Sequence, residues 1–220
     1  MRQIQPDLWE TEPEFPAPGL STHAYLWTPP SGNVLFYNTT HAHELDHIAD
    51  LGGVAHHYLS HQDEIAPSLG DVRERFGAQL HIHASEAHLA SEQAPVGDAF
   101  AERHTVDGLE VIPAPGHTPG SSCYLAAGTS GKYLFTGDTV YRSASGRWLA
   151  GYIAGYSDAD SLLTTLSLLG TLAPDIVVSS AFAGDSGVTA VDSTDWEDIM
   201  ADVRDRLQRH LHQARTSPNS

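Results

Sequence analysis

The sequence predicts an α/β fold in which helices cover β-sheets. Strand-like and helix-like segments alternate between residues 54 and 90, in the order strand, helix, strand, helix, which is typical of layered α/β proteins. Hydrophobic residues make up 40% of the chain, as in most globular proteins. The 220 residues suffice for one domain that buries roughly 70% of its unfolded surface. We therefore expect a single domain over residues 1–220, with residues 215–220 frayed.

The composition narrows the classes of partner. The formal net charge is −17, from 28 acidic and 11 basic residues, which argues against nucleic acid and anionic membranes as partners. No stretch approaches the run of about 18 apolar residues that a membrane-spanning helix needs, and the first residues show no signal-peptide pattern. Cys123 is the one cysteine, so an intrachain disulfide is excluded. We expect a cytoplasmic protein that acts on a small molecule.

The first part of the chain predicts a β-hairpin followed by a short helix. Leu20–Thr28 and Val34–Tyr37 are β-prone, and the segment Pro29–Asn33 between them is a turn signal. His41–Asp50 carries apolar residues at helical spacing and ends at a pair of glycines. We interpret the histidines at the start of this segment as its solvated face; they are His41, His43 and His47.

The next strands and helices lead to the first candidate site residue. Val54–Ser60 is a predicted strand that places His61 at its carboxyl end, where sites form in layered α/β proteins. Pro67–Phe76 is a predicted helix, because proline suits the first turn and apolar residues recur on one face. A strand over Leu80–Ala84 follows, and then a helix over Ser85–Ala90 with its first serine as the N-cap.

The second half of the chain predicts more strands and two longer helices. Residues 94–107 read as irregular. Residues 142–156, rich in glycine and aromatic side chains, either wall a pocket or form a packed surface loop. The predicted strands are Leu109–Pro113, Ser121–Ala126, Tyr133–Thr136 and Ile176–Ser179, and the predicted helices run from Ser157 or Asp158 to Gly170 and from Thr194 to Ala214.

The turn between two of these strands carries a single histidine. Pro115 and Pro119 flank His117, and proline cannot donate to a sheet, so His117 lies between strands on a stiff loop. Such a loop can fix one side chain at the rim of a sheet, which suits a metal ligand. The alternative is a tight hairpin with an incidental histidine.

The whole string favours the metal ligand. Pro-Gly-His-Thr-Pro-Gly-Ser, residues 115–121, resembles the third metal-ligand motif of the metallo-β-lactamase superfamily. Leu134–Thr139 follows at the family's distance and resembles its bridging-aspartate motif, with Asp138 as the aspartate. The resemblance implies a four-layer αβ/βα sandwich, in which two mixed sheets are flanked by helices.

The superfamily's first motif, Thr-His-x-His-x-Asp-His, is only partly present. If Ser60 is aligned with the threonine, His61 is the first histidine and Asp63 replaces the second. Ile65 and Ala66 then stand where the family has the aspartate and the last histidine.

A rival alignment places His61, Asp63 and Glu64 on the final His-x-Asp-His of the motif, but leaves Leu59 at the first ligand position. The family's last ligand, a histidine after a late strand, corresponds to Ala181. The first alignment is favoured because it gives a consistent pattern. Every ligand position of the family's first metal site still holds a metal donor, whereas the positions that belong to the second site alone, at Ile65, Ala66 and Ala181, hold none. The four donors are His61, Asp63, His117 and Asp138.

Two imidazoles and two carboxylates are a four-coordinate set for one divalent metal ion. Zinc is the first candidate, with iron and manganese as alternatives. Asp63, if it stays off the metal, is also the first candidate for a catalytic base, and Glu64 is a weaker one. In persulfide dioxygenases of the superfamily, iron is held by the equivalents of His61, His117 and Asp138.

Three functions follow from this resemblance. The first is a mononuclear metal-dependent hydrolase of a small ester, thioester or amide, and we expect slow or unusual hydrolysis because the family's aspartate is replaced by Ile65. The second is a mononuclear non-heme iron oxygenase or sulfur-oxidising enzyme. The third is a catalytically inactive binding or oligomerisation module. A homodimer is expected only because dimers are common among soluble enzymes of this size.

Other polar residues near the motifs have simpler interpretations. His56 and His57 alternate along their strand, so they point to opposite faces, and we favour packing over a role as outer partners of the metal ligands. Cys123 lies on a strand without a neighbour that would activate it, and we interpret it as a small buried hydrophobic residue.

Overall fold

A computed structural model of the chain describes residues 1–184 and 186–216. Within them the strands are β1 (Arg2–Gln5), β2 (Leu8–Glu10), β3 (Glu14–Ala17), β4 (Leu20–Thr22), β5 (Tyr25–Trp27), β6 (Val34–Phe36), β7 (His56–Tyr58), β8 (Gln79–His83), β9 (Val96–Phe100), β10 (His104–Val106), β11 (Leu109–Pro113), β12 (Ser122–Gly128), β13 (Gly131–Gly137), β14 (Val140–Arg142), β15 (Trp148–Ala150), β16 (Ile176–Ser179), β17 (Ala181–Phe182) and β18 (Val188–Ala190). The helices are α1 (Glu44–Asp50), α2 (Ser68–Phe76), α3 (Ala87–Ala90), α4 (Ala159–Leu169) and α5 (Trp196–Thr216).

Two mixed sheets form the centre of the molecule. The first has the strand order β1-β2-β5-β6-β7-β8-β9, and its strands are parallel from β6 onwards. The second has the order β10-β11-β12-β13-β16-β18, and its one parallel pair is β13 with β16. A small sheet of β17, β4 and β3 and the β14–β15 hairpin lie beside them.

The main core lies between the two large sheets and is rich in aromatic side chains. Phe36 of β6 stacks on Phe135 of β13 with ring centroids 3.8 Å apart, and Tyr124 of β12 packs 5.4 Å from Phe36. Each such aromatic pair contributes about 0.5–1.5 kcal/mol beyond the area it buries. The inward-facing rows of β6, β12 and β13 therefore fix how the two sheets lie on each other.

Helices cover the outer face of each sheet. The apolar face of α4 and α5 packs on the second sheet, where Leu162, Leu166 and Trp196 are fully buried. Helices α1 and α2 contribute Ile48 and Val72 to a cluster on the outer face of the first sheet. The order helix, sheet, sheet, helix confirms the predicted four-layer αβ/βα sandwich.

Most predicted elements are present with small shifts in their ends, but several expectations were wrong. Residues 94–107 are not irregular, because they contain β9 and β10. Helix α3 begins at Ala87 and no side chain caps it, so Ser85 is not its N-cap. Residues 142–156 contain β15 rather than loop alone. The predicted fraying of residues 215–220 lies mostly outside the described residues, and α5 continues to Thr216.

The ends of the strands determine where the candidate site lies. Strands β7 and β13 belong to different sheets, and the chain leaves both of them at the same edge of the sandwich, just before His61 and Asp138. Among the described helices, none combines the length and the apolar character that crossing a bilayer requires.

Candidate metal centre

His61 lies in extended backbone just after β7 and before a single 3₁₀ turn, Gln62–Glu64. Its side chain is buried, and its Nδ1 lies 2.9 Å from Ser60 Oγ and 3.2 Å from the Glu64 carboxylate. Glu64 in turn accepts hydrogen bonds from the backbone N–H of Ser60, at 2.7 Å, and from the Ser60 hydroxyl. This network fixes the ring so that Nε2 points away from Glu64.

His117 lies at the turn between β11 and β12, as the two prolines predict, and is also buried. Its Nδ1 is 2.7 Å from the carbonyl oxygen of Gly151. Because a carbonyl oxygen only accepts, Nδ1 carries the proton and the lone pair is on Nε2. A side chain at Gly151 would collide with the backbone of Asp138, so glycine is required for this close approach.

Asp138 follows β13 directly and brings a carboxylate to the two imidazoles. Its Oδ2 is 3.6 Å from His61 Nε2 and 3.9 Å from His117 Nε2. Its Oδ1 accepts a hydrogen bond of 3.1 Å from the backbone N–H of Ala181. Gly137, with a φ of 53°, packs so closely on Ser60 that Asp138 is carried next to His61.

Asp63 completes the predicted set from the exposed side. Its Oδ2 lies 3.7 Å from His61 Nε2 and 3.6 Å from His117 Nε2. Its Oδ1 accepts a hydrogen bond of 2.5 Å from the hydroxyl of Tyr156. Asp63 is 48% exposed, whereas the side chains of His61 and His117 are 3% and 4% exposed.

The four predicted residues thus share one arrangement. Asp63 and Asp138 each turn one carboxylate oxygen towards both histidine Nε2 atoms, while the second polar atom of each of the four residues is held by a partner outside the group. The Nε2 atoms of His61 and His117 are buried and have no hydrogen-bond partner among the described residues, which is costly for a polar atom unless a ligand satisfies it. Donor atoms of His61, His117 and Asp138 all lie within 4.8 Å of one another. This donor chemistry fits a divalent cation such as zinc.

The electrostatics of the group also favour a cation. Burial alone would lower the pKa of His61, but the carboxylates of Asp138, Glu64 and Asp63 outweigh it and raise that pKa to about 10. The neighbouring imidazole of His117 lowers the pKa of Asp63, with a further contribution from the Tyr156 hydroxyl, against the effect of burial. The carboxylates therefore stabilise positive charge at the point where the four side chains meet.

The positions that lack donors are used for packing instead. Ile65 packs against the apolar cluster that contains Leu59 and Leu69 beneath α2. Ala181 is buried and offers only its backbone N–H to Asp138. The rival alignment does not fit these contacts, because Leu59 belongs to the core and Glu64 faces Nδ1 of His61 rather than Nε2.

The other histidines near the motifs lie apart from this group. His57 is fully buried and its Nε2 is 2.6 Å from the carbonyl oxygen of Tyr37, while His56 Nδ1 is 3.0 Å from His81 Nε2. Both contacts agree with packing roles. Cys123 is buried, and burial raises the pKa of its thiol to about 12, so it is not an activated nucleophile.

The outer partners Tyr156, Gly151 and Glu64 were not identified in these roles from the sequence. Tyr156 and Gly151 both lie in the segment 142–156. This segment therefore forms one wall of the candidate site and is not a separate surface loop. The signal available was the density of glycine and aromatic residues directly after Asp138. It could indicate a wall, but not which side chain reaches which donor.

Comparison with known proteins identifies the fold and its relatives. A family model described as the metallo-beta-lactamase superfamily matches residues 39–181. Hydroxyacylglutathione hydrolase from Cupriavidus taiwanensis is 30% identical over 144 residues, which are 58% of this chain and 48% of that protein. The chain therefore matches about half the length of this curated relative.

Solved structures resemble the chain over nearly its whole length. A metallo-beta-lactamase from Pontibacter korlensis is 18% identical and has a TM-score of 0.71, covering 94% of this chain and 97% of that one. ETHE1 from Myxococcus xanthus is 22% identical and has a TM-score of 0.67, covering 96% and 92%. At these identities the two structures bear on the fold alone.

Proposed function

The chain belongs to the metallo-β-lactamase superfamily, and we propose that it is a mononuclear metal-dependent hydrolase of a small ester, thioester or amide. The observation that supports this most directly is the pair of buried, unpartnered Nε2 atoms of His61 and His117, facing the carboxylates of Asp63 and Asp138. The curated relative is a hydrolase by name, which makes an acylated thiol the first substrate class to test.

Four side chains would hold the metal ion: His61, Asp63, His117 and Asp138. Zinc is our first choice, because two imidazoles and two carboxylates suit its tetrahedral coordination, and iron and manganese are the alternatives. A zinc ion held there would polarise a substrate carbonyl and lower the pKa of a bound water to about 7.

The residues around the site also bear on the choice of substrate. Asp63, Glu64 and Asp138 place three carboxylates at or next to the two histidines, and no Lys or Arg of the described chain forms an ion pair with them. This charge disfavours an anionic group close to the reacting atoms. We therefore propose a neutral small-molecule substrate. We also propose a cytoplasmic location, because the one thiol, Cys123, is buried and unpaired.

One observation favours a second candidate function. His61, His117 and Asp138 alone form a compact group of two imidazoles and a carboxylate, which is the facial arrangement of mononuclear non-heme iron sites. In that case the protein would be an iron-dependent oxygenase or sulfur-oxidising enzyme, and Asp63 would not be needed as a ligand.

The decisive experiment compares the purified protein with His117→Ala and with a matched control, His212→Ala, whose side chain is exposed on α5. Each protein is stripped of metal, reloaded with zinc, analysed for bound metal and assayed on a panel of esters, thioesters and amides. We expect one bound ion and hydrolysis in the wild type and the control, with both lost in His117→Ala.

The other functions predict different results from the same samples. Iron in the native protein, with oxygen uptake on a persulfide, would support the oxygenase. Absence of stoichiometric metal, with a melting temperature that chelator does not change, would contradict both enzymes and leave the binding module. Hydrolysis no faster than that of His117→Ala would rule out the hydrolase.

A further inference from the structure

We propose that Tyr156 is a positioning residue that holds Asp63 in place as a metal ligand. This inference rests on the proposed function, because it assumes that a metal ion binds between the four donors. It also assigns Asp63 to one of the two roles that its sequence position leaves open, which are ligand and catalytic base.

The direction of the hydrogen bonds around Tyr156 is fixed by chemistry. The amide nitrogen of Gln62, Nε2, donates to the Tyr156 oxygen at 2.9 Å. Since the tyrosine oxygen accepts there, its own proton is free to point at Asp63 Oδ1, 2.5 Å away, and a carboxylate can only accept. The chain of donation runs from Gln62 through Tyr156 to Asp63.

Asp63 needs such a partner more than the other three donors do. It is 48% exposed and lies on a single 3₁₀ turn, whereas His61 and His117 are enclosed by the core and Asp138 is 21% exposed. An exposed carboxylate that is free to rotate would lose side-chain entropy on binding a metal. With Oδ1 held by Tyr156, Oδ2 already faces both Nε2 atoms, so less ordering is left for the binding step.

Tyr156 is itself held in place by contacts with the His117 loop. Its ring lies edge-on to the imidazole of His117, with centroids 5.9 Å apart. The next residue, Ser157, donates its hydroxyl to the carbonyl oxygen of His117 at 3.0 Å and accepts the backbone N–H of Ile153 at the same distance. The segment that positions His117 therefore also positions the hydroxyl that orients Asp63.

This geometry argues against Asp63 as the base. A general base needs a free oxygen directed at the water that it activates. In Asp63, one oxygen is engaged by Tyr156 and the other is directed at the two histidine nitrogens. We therefore assign one oxygen to the hydrogen bond with Tyr156 and the other to the metal ion.

The test is Tyr156→Phe, which removes the hydroxyl and keeps the ring. The readouts are the zinc dissociation constant, from competition with a chromophoric chelator, and the visible spectrum of the cobalt-loaded protein. We expect zinc to bind about 10–100-fold more weakly, the usual loss for an outer partner of a ligand, with an altered cobalt spectrum. The matched control is Tyr152→Phe, in the same segment, whose ring packs near His210 and whose hydroxyl has no hydrogen bond among the described residues.

A double substitution tests whether Tyr156 acts through Asp63. In an Asp63→Ala background, Tyr156→Phe should weaken zinc binding no further. Equal zinc affinity of Tyr156→Phe and wild type would overturn the inference and leave the proposed hydrolase standing. A further loss in the Asp63→Ala background would overturn it too. Failure of the wild type to bind metal would refute the proposed function itself, and the inference with it.

Discussion

Gly137 combines a left-handed backbone with the close packing that brings Asp138 to His61. Replacing it with alanine should disturb both, and comparison with a glycine that lacks the close packing should separate the two costs. At Gly137, φ is 53°, and a non-glycine residue in this region costs about 1–2 kcal/mol. The new methyl group would also overlap the Ser60 hydroxyl and lie 2.6 Å from Ser60 Cβ. Such overpacking in a closely packed site adds about 1–3 kcal/mol. We expect Gly137→Ala to lower the free energy of unfolding by roughly 2–5 kcal/mol.

The chain offers a control for the backbone part of this cost. Gly77, at the end of α2, has a φ of 68°, and a methyl group there would meet no atom within 4 Å. Gly77→Ala should therefore cost only about 1–2 kcal/mol and leave zinc affinity unchanged. Urea unfolding gives the free energies, and chelator competition gives the affinities. If the two variants lose the same stability, or if Gly137→Ala binds zinc like the wild type, the close contact with Ser60 does not position Asp138.

Two further predictions concern buried groups outside the donor set. Burial lowers the pKa of His57 from 6.5 to about 4, so the unfolded chain takes up the proton first as pH falls, and stability is lost between pH 6.5 and 4. The glutamine of His57→Gln can still donate a hydrogen bond to Tyr37 but does not titrate. Between pH 6.5 and pH 4 the wild type should therefore lose about 3 kcal/mol more free energy of unfolding than this variant, as measured by urea unfolding at both pH values. Cys123 is buried, and its thiol pKa is raised to about 12, so it should resist iodoacetamide at pH 8 in the folded protein and react after unfolding in urea. Equal alkylation rates in the folded and the unfolded protein would contradict its burial.

Periodicity and turn chemistry predict most of the fold, but not its edges. Strands β11 to β13 and helix α4 follow from clear apolar patterns bounded by Pro, Gly and an Asp N-cap, and Asp158 does accept the backbone N–H of Ser161. Strands β1 and β3 have mostly exposed or half-buried side chains, and β9 has one fully buried residue, so hydrophobic alternation is weak there. These strands exist because a neighbouring strand provides hydrogen-bond partners, which the local sequence does not encode.

In the candidate site, too, the sequence predicts what lies close along the chain, namely the four donors, but not their hydrogen-bond partners from distant segments. The four donors were predicted from short motifs, because each motif combines a strand end with the side chain that follows it. Their outer partners come from elsewhere in the chain: Tyr156 is 93 residues from Asp63, Ala181 is 43 residues from Asp138, and Gly151 is 34 residues from His117. No spacing in the sequence connects these pairs, so only the folded chain brings them together.

The contacts of Asp138 also bear on why one metal ion is proposed rather than two. In the superfamily resemblance this aspartate is shared between two ions. Here Oδ1 accepts the backbone N–H of Ala181, the residue that stands where the second site's last ligand would be. Ile65, at the position of another lost ligand, packs on an apolar cluster, where an ionised carboxylate would be costly. The packing around Asp138 and Ile65 therefore supports the proposal of a single ion, and we expect that restoring one donor by a single substitution would not create a second site.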